Sequence, residues 1–510
     1  MSFCTSCGAL PQRFQLVLES FLQQPGLPFA EALPEADIQA AFAEHAPVAA
    51  EGTVDDNNVA DNVADNVAAD DVAADDVEED DDRVYTAPVT LWAFLAQMLF
   101  KQEQRSCLAA VARVVVMMAS LGRVVSGNTG AYCRARAKLP EVALRRLVSN
   151  VARKCEDELP AEWLWCGRRV QLIDGTTHSM PDTPENQAEY PQHGSQKKGL
   201  GFPILRLVTV LSFATGMIHD WELSRYMGKE TGEPALLRAM LERLTQGEVV
   251  LADRCYCSYF LIALLRERGL DVVLRLHQQR TTDFRRGQRL GKDDHRVTWS
   301  RPPKPEWMDE ATYDRMPESL EVREVQVRVT ERGFRTESLV VVTTLFDVAR
   351  YSRDALTELY RQRWRAEVDL RSIKTTMGLD VLRCHTPEMV RKELAVGFLA
   401  YNLIRRHLLQ AARQADCSPR ELSFTAGMQQ IAASWMTIWL LDEATRARVL
   451  EAHLSNLAGH VVGDRPDRVE PRAVKRRPKP HKLLTEPRPV ARAALLNGRL
   501  ESREPWTANT

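Results

Sequence analysis

Between residues 165 and 280 the sequence alternates short apolar runs typical of strands with longer runs that repeat apolar residues at helical spacing. The strand-like runs are RRVQLIDG, PILRLVTVLSFATG, MIHDWELSR, EVVLAD and DVVLRL, and the helical patterns PALLRAMLERL and YFLIALLRERG flank EVVLAD. A helix repeats its apolar face every three to four residues, whereas a strand is a short apolar or alternating run. Three strands, a helix, a strand, a helix and a strand predict a mixed α/β sheet with helices packed against it.

Helical patterns flank this region on both sides. LWAFLAQMLF and LAAVARVVVMMASL precede it, and helical spacing resumes at Arg353 and continues to about residue 460. Residues 281–340 are instead rich in Arg, Pro and β-branched residues, which predicts a β-rich insertion. We therefore expect an α/β fold: a mixed-sheet core with a β-rich insertion, flanked by helical N- and C-terminal regions.

A chain of 510 residues exceeds what one hydrophobic core usually covers, so several structural units are expected. The changes in composition and periodicity predict these segments, in chain order: a helical or uncertain N-terminal region (1–50), an acidic low-complexity linker (51–83), a helical, DNA-binding region (84–160), the first part of the core (165–280), the β-rich insertion (281–345), a core helix (346–378), a C-terminal helical region (379–460) and a basic, Pro-rich tail (461–510).

The formal net charge of −2 conceals an uneven distribution of charge. Residues 51–82 hold 14 of the 69 acidic side chains and no basic one, so the rest of the chain has 67 basic against 55 acidic residues, or +12. A basic body favours a nucleic-acid partner. The acidic repeat is either a tolerated, solvated insertion, which is the simpler interpretation, or a mimic of nucleic acid that shields a basic groove.

The same ambiguity applies to two basic segments. SGNTGAYCRARAKLP, around residues 126–140, and the Pro-rich stretch from Asp464 both concentrate Arg and Lys. Either could contact DNA phosphates, and either could be an ordinary solvated surface.

Two features of the sequence predict the compartment. The N-terminus has no basic region followed by an apolar core, and the ten cysteines are widely spread, which indicates free thiols in a reducing compartment. The uncharged run Leu422–Leu441 is interrupted by Gln429 and Gln430 and predicts a buried helix rather than a membrane span. We expect a cytoplasmic protein with no membrane partner.

The segment LYRQRWRAEVDLRSIK carries the most specific pattern in the chain, Tyr-x2-Arg-x3-Glu-x6-Lys. On a regular helix, Tyr360, Arg363, Glu367 and Lys374 fall on one face, with Arg371 beside them. That face presents one carboxylate among three cations and a phenol. An ion-paired, solvated helix is the simplest explanation, and a phosphate-binding face is the functional one.

Two aspartates stand at the ends of apolar strand-like runs. Asp174 closes VQLIDG, and Asp253 closes EVVLAD. Each taken singly is more typical of a turn or a helix cap. Two strand-end aspartates and a helical glutamate are nevertheless what a two-metal phosphoryl-transfer site needs, because hard Mg²⁺ ions prefer oxygen ligands.

With Asp174 in IDGTT, Asp253 in LADRCY and Glu367 in the Tyr-Arg-Glu-Lys segment, the chain resembles the DDE transposases of the IS4 family. The resemblance runs from about residue 84 to 490 and includes AYCRARAKLP, AYNLIR and EPRAVKRRPKP. It implies an RNase H-like core with a β-rich insertion after the fifth strand. It also implies that Asp174, Asp253 and Glu367 bind two Mg²⁺ ions, for which Mn²⁺ can substitute.

By the same resemblance, Tyr360, Arg363 and Lys374 are expected to bind transposon-end DNA near the scissile phosphate, with Arg371 on the same face. Family members often form a hairpin at the DNA end and hold a flipped base against a tryptophan of the insertion. Trp299 and Trp307 lie in the matching region. Each could stack on a base, or it could pack in the protein core.

The resemblance implies a cut-and-paste transposase that acts on terminal inverted repeats and target DNA, as a dimer in the DNA-bound complex. Two alternatives keep the same fold: an inactive or repurposed DNA-binding protein, and a plain nuclease that does not join strands.

Overall fold

The computed structural model describes residues 40–41, 84–120, 122–328, 338–437, 441–462 and 482–496. The predictions for the acidic linker, and most of those for the N-terminal region and the basic tail, lie outside these residues. The chain divides into two compact units: the first comprises Met1–Glu158 and Leu394–Val461, and the second comprises Leu159–Glu393 and Val462–Thr510.

Within the described residues, the α-helices are α1 (Ala87–Leu99), α2 (Cys107–Ser120), α3 (Thr129–Lys138), α4 (Glu141–Asp157), α5 (Pro184–Glu189), α6 (Glu233–Met240), α7 (Tyr259–Glu267), α8 (Glu310–Arg315), α9 (Arg353–Arg361), α10 (Arg365–Arg371), α11 (Pro387–Ala415), α12 (Phe424–Ser434), α13 (Glu443–Ala458) and α14 (Arg488–Leu496). The strands are β1 (Val170–Ser179), β2 (Ile204–Ser212), β3 (Ile218–Arg225), β4 (Val249–Ala252), β5 (Asp271–Arg275), β6 (Gln288–Gly291), β7 (Asp294–Ser300), β8 (Ser319–Arg328) and β9 (Ser338–Thr343).

The first unit is helical, as the sequence predicts. Helix α1 is buried continuously from Val89 to Leu99, because its apolar residues surround the whole helix rather than one face. The Asn402 amide on α11 donates to the Val148 carbonyl of α4 at 3.1 Å, which ties the beginning of the unit to its end. Helix α12 occupies part of the uncharged 422–441 run, and among the described residues no helix is long and apolar enough to cross a membrane.

The basic segment around residue 132 forms α3, with the Asn128 side chain accepting from the Gly130 amide as an N-cap. Tyr132 is fully buried, and its hydroxyl donates to Gln97 Oε1 at 2.5 Å. Arg136 also turns inward and donates to Gln97 at 3.3 Å. Arg134 and Lys138 are exposed, so only part of this segment presents its charge to solvent.

The second unit is built on a mixed sheet. Strands β1, β2 and β3 form an antiparallel meander, and β4 and β5 run parallel to β1, which gives the order β3-β2-β1-β4-β5. Helix α6 lies between β3 and β4, and α7 lies between β4 and β5, which is the order of elements that the sequence predicts. This arrangement is RNase H-like, and the predicted fold class is confirmed.

Strands β6 to β9 extend this sheet instead of forming a separate layer. Strand β9 pairs antiparallel with β5, with Leu274 opposite Val342, and β8, β7 and β6 follow outward. The described residues therefore form one nine-stranded sheet. The sequence indicates β-structure here, but strand propensity does not specify which edge a strand joins, because pairing depends on tertiary contacts.

A buried ion pair holds the outer strands together. The Arg323 guanidinium on β8 donates to both carboxylate oxygens of Asp294 on β7, at 2.9 and 2.6 Å. Its remaining nitrogen donates to the carbonyls of Tyr351 at 2.7 Å and Leu345 at 3.3 Å. Both side chains are buried, so the pair is stable only because its hydrogen-bonding groups are satisfied together.

We expect Arg323→Met to destabilise the protein by about 3 kcal/mol or more, because it leaves Asp294 buried without its counter-charge. Arg323→Met combined with Asp294→Leu should recover much of that loss. Arg285→Ala, which removes an exposed pair with Asp283, is the matched control and should change the melting temperature little. Thermal denaturation of the full chain measures all three. Equal losses for the single and the double variant would contradict this account.

Candidate active site

Asp174 and Asp253 lie side by side at one edge of the sheet. Strands β1 and β4 pair in parallel with Ile173 opposite Ala252, and each aspartate is the next residue along its strand. Neighbouring strands are about 4.8 Å apart, so the two carboxylates emerge at adjacent positions. Asp253 directly follows β4, but Asp174 lies within β1, which continues to Ser179, so the prediction that both aspartates end their strands is wrong for Asp174. In both cases the charge appears where the buried apolar run stops.

The surroundings of Asp174 disfavour the charged form of its carboxyl group. Burial raises the pKa of its carboxyl to about 6, from an ordinary value of 3.8. The Arg363 guanidinium and a 3.0 Å hydrogen bond from the Gly175 amide act in the opposite direction. The carboxylates of Glu233 and Glu367 raise this pKa further. The site therefore lacks enough positive charge for its acids.

The Tyr-Arg-Glu-Lys segment is helical but not a regular α-helix. Helix α9 is followed by a 3₁₀ turn at Gln362–Trp364, then by α10, and finally by a π-helical turn at Ser372–Thr376. A projection at 100° per residue therefore does not describe the whole segment, because 3₁₀ and π turns have different periods.

Contacts with β1 fix the end of this segment. Lys374 Nζ donates to Thr176 Oγ1 at 3.1 Å. Immediately beyond, the Ser179 amide donates to the Asp380 carbonyl at 3.2 Å, and the Leu382 amide donates to the Ser179 carbonyl at 2.8 Å. The strand that carries Asp174 thus also positions the segment that carries Glu367.

Arg363 connects Asp174 with Glu367. Its Nη2 donates to Glu367 Oε1 at 2.8 Å, and its Nη1 lies 3.8 Å from Asp174 Oδ2. The Arg363 side chain is only 17% exposed, whereas that of Glu367 is 62% exposed. Burial lowers the pKa of the guanidinium, but the surrounding acids and Tyr360 outweigh it and raise the pKa overall. Arg363 is therefore firmly charged.

The other predicted DNA-binding residues of this segment differ in exposure. Tyr360 is buried, and burial raises the pKa of its phenol, with Arg363 opposing and Asp253 adding to the effect. Lys374 is half-buried, which lowers the pKa of its amine. Arg371 is exposed at the end of α10. The structure brings Tyr360, Arg363 and Lys374 to the aspartates, and it leaves Arg371 on the surface.

A fourth acid, Glu233, also reaches this edge, and the sequence reasoning missed it. It is the first residue of α6, and it influences Asp174 electrostatically. The signal was present: Glu233 precedes the buried Leu236, Leu237 and Met240 at helical spacing, so it continues the face that α6 turns toward the sheet.

The oxygen ligands at this edge suit a hard divalent cation. Among the described residues no group of three His, Cys, Asp or Glu side chains is already gathered closely enough to hold a metal ion. The guanidinium of Arg363 instead lies between Asp174 and Glu367. A carboxyl with a raised pKa, adjacent to a second carboxylate on β4, is nevertheless the kind of donor set that a divalent cation favours.

The two tryptophans of the insertion lie within packed surroundings. Trp299 is 7% exposed; its indole N–H donates to Glu324 at 3.0 Å, and Arg280 lies over its ring. Trp307 is partly buried against the core, with the Arg238 guanidinium 3.8 Å from its ring centre. Contact of either ring with a DNA base stays a prediction, and it would require these partners to move.

Comparison with known proteins agrees with this geometry. A family model described as "Transposase DDE domain" matches residues 165–403, a range that contains all the acids described above. The chain is also 27% identical over 357 residues to "Transposase InsG for insertion sequence element IS4" of Escherichia coli (strain K12), which covers 68% of this chain and 76% of that relative.

In these residues the chain is similar to the DDE transposases of the IS4 family.

The comparisons support a DNA transposase, and DDE transposases generally use divalent metal ions. A solved structure of the piggyBac transposase synaptic complex with hairpin DNA is a more distant neighbour. The two chains share 9% sequence identity and superpose with a TM-score of 0.40. The match covers 87% of this chain and 84% of that one.

We expect Asp174→Asn to increase the free energy of unfolding of the metal-free protein above pH 6. Because the folded-state pKa of Asp174 is raised from 3.8 to about 6, ionising it costs stability as the pH rises through that window, and below it both states are protonated. The variant should gain about 1–3 kcal/mol at pH 7.5 and little at pH 4.

Thermal denaturation with excess chelator, at both pH values, measures this gain. Asp182→Asn removes an exposed carboxylate from the same unit and serves as the control. A loss of stability at pH 7.5 for Asp174→Asn would contradict the expected repulsion.

Proposed function

We propose that this transposase performs metal-dependent phosphodiester cleavage at transposon ends and then joins the freed 3′-OH to target DNA, by a cut-and-paste route. One observation carries the proposal: two aspartates at adjacent positions of neighbouring parallel strands lie near a largely buried arginine that also binds a helical glutamate. Such a concentration of acids beside fixed cations is suited to in-line displacement at phosphorus.

Asp174, Asp253 and Glu367 are the proposed metal ligands. Two Mg²⁺ ions, or Mn²⁺ in their place, would supply the charge that activates the attacking oxygen and stabilises the leaving one. Glu367 is the most exposed of these acids and is held by Arg363, so it is the ligand that must change partner when metal binds. The raised pKa of Asp174 supports the proposal, because a divalent cation would stabilise the carboxylate whose charge burial disfavours.

Arg363 and Lys374 are the proposed phosphate contacts. Once Glu367 turns to metal, the donors of Arg363 become available to a phosphate beside Asp174. Lys374 contacts the same strand through Thr176, two residues beyond Asp174. Tyr360, buried beside Arg363, would hold that guanidinium in place, and the exposed Arg371 would contact DNA farther along.

The proposed partners are the terminal inverted repeats of the element and its target DNA, in the bacterial cytoplasm. Cut-and-paste transposition requires two ends to be held together, so we propose a dimer in the DNA-bound complex. Inverted repeats flanking the gene, if present, would supply these partner sequences.

We expect Glu367→Gln, Asp174→Asn and Asp253→Asn each to reduce strand cleavage by about 10³-fold or more, because each removes a charge that stabilises the transition state. Binding to the terminal repeats should change little. A gel assay with Mg²⁺ measures cleavage and strand transfer, and a mobility-shift assay measures binding.

Glu358→Gln is the matched control, since Glu358 lies on α9 and pairs with exposed Gln362 and Arg361. It should cleave like the wild type. Wild-type cleavage by Glu367→Gln would overturn the assignment. Cleavage without strand transfer by the wild type would instead indicate a plain nuclease, and neither activity would indicate a repurposed DNA-binding protein.

We expect Lys374→Gln to weaken DNA binding similarly on all sequences and to reduce the slope of log Kd against log salt by about one, as for the loss of one phosphate contact. Lys374→Arg keeps the charge and should restore the slope. Fluorescence anisotropy between low and moderate salt provides the measurement. An unchanged slope for Lys374→Gln would show that Lys374 makes no phosphate contact and only forms its hydrogen bond with Thr176.

A further inference from the structure

Glu233 is directed at the catalytic edge by the helix that carries it. The buried side chains of α6 are Leu236, Leu237 and Met240, which follow Glu233 at intervals of three, four and seven residues. These positions form one helical face, and α6 packs with that face on β2 and β3. A carboxylate in line with a buried apolar face points at the sheet rather than at solvent.

Gly175 provides the space that Glu233 occupies. A Cβ atom at Gly175 would lie 2.4 Å from Glu233 Cδ and 2.6 Å from its Oε1, closer than real side chains allow. Glu233 therefore rests against the backbone of the residue that follows Asp174. Any larger residue at position 175 would displace either this carboxylate or the strand.

Two groups from the turn after Asp253 hold the carboxylate. The Tyr256 hydroxyl donates to Glu233 Oε2 at 3.2 Å, and the Cys255 thiol lies 3.6 Å from the same oxygen. Burial and then Glu233 raise the pKa of both the Tyr256 phenol and the Cys255 thiol, so both are neutral donors. Glu233 thus lies against residues that closely follow both Asp174 and Asp253 in the sequence.

The negative charge of Glu233 is not balanced locally. Among the described residues its contacts are the phenol, the thiol and the Gly175 backbone, and no Lys or Arg forms an ion pair with it. Arg363 lies instead with Asp174 and Glu367. A residue needed only for packing between α6 and the sheet would be apolar, as Leu236 and Leu237 are, because an unbalanced carboxylate beside Asp174 costs free energy.

We propose that Glu233 is a fourth carboxylate of the metal centre, which strengthens the binding of divalent cations beside Asp174 and Asp253. This inference rests on the proposed metal-dependent function. It assigns to the α6 terminus a role that the Asp-Asp-Glu pattern does not include. Tyr256 and Gly175 then act as positioning residues, since they set where the Glu233 carboxylate lies.

Isothermal titration of the full chain with Mn²⁺ at pH 7.5 tests the proposal. Glu233→Gln preserves size and the ability to accept from Tyr256 but removes the charge, and we expect it to weaken Mn²⁺ binding by about tenfold or more. Glu185→Gln, in the first turn of α5 in the same unit, is the matched control and should bind like the wild type. Asp174→Asn, measured in parallel, tests the metal site itself.

Thermal denaturation separates a metal-binding role from a structural one. With chelator present, Glu233→Gln should melt at or above the wild-type temperature, because a repulsion is removed; with Mn²⁺ it should gain less than the wild type. A lower melting temperature in chelator, with an equal gain from Mn²⁺, would overturn the proposal. If Glu233→Gln fails to fold, Glu233→Asp retains the charge one methylene farther away and should bind Mn²⁺ several-fold more weakly; wild-type affinity would overturn the proposal.

The outcomes also separate this inference from the function on which it rests. Weaker Mn²⁺ binding by Asp174→Asn with wild-type binding by Glu233→Gln would reject Glu233 and leave the metal site standing. Wild-type binding by both would reject the proposed metal site.

Discussion

The ion pairs of Arg363 hold together the parts of the chain on which the candidate site depends. One guanidinium faces Asp174 on a central strand and Glu367 on a helix that begins after the whole insertion. Without a cation between them, these acids would repel each other in a partly buried position. Burial is the main cause of the raised pKa of Asp174, and Arg363 offsets it only in part. The proposed function requires Glu367 to exchange its contact with Arg363 for a metal ion.

The core could be predicted from the sequence because its determinants are local. Each strand from β1 to β5 is a short apolar run, and α6 and α7 repeat their apolar residues at helical spacing. Asp174 and Asp253 were recognisable because each ends such a run, and the parallel pairing of β1 with β4 then makes them neighbours. Lys374 and Arg363 were recognisable from their spacing around Glu367.

Other features depend on contacts that no short segment encodes. The 3₁₀ and π turns interrupt the Tyr-Arg-Glu-Lys segment where it is anchored to β1, so a regular helical projection described its faces only approximately. The insertion joins the central sheet through β9, a pairing between residues distant in sequence. Glu233 was overlooked because a glutamate at the start of a helix is usually explained by the helix dipole, and only the absence of a Cβ at Gly175 reveals where its carboxylate lies.

The continuity of the nine-stranded sheet has a mechanical consequence. From β1 to β6 there are six successive hydrogen-bonded steps, through β4, β5, β9, β8 and β7. At about 4.8 Å per step, the outermost strand lies roughly 29 Å from the strand that carries Asp174. Because every step is a backbone ladder, and a buried arginine locks β7 to β8, that separation cannot change without breaking the sheet. A nucleic acid that contacted both β1 and β6 would be held at two points about eight or nine base pairs apart.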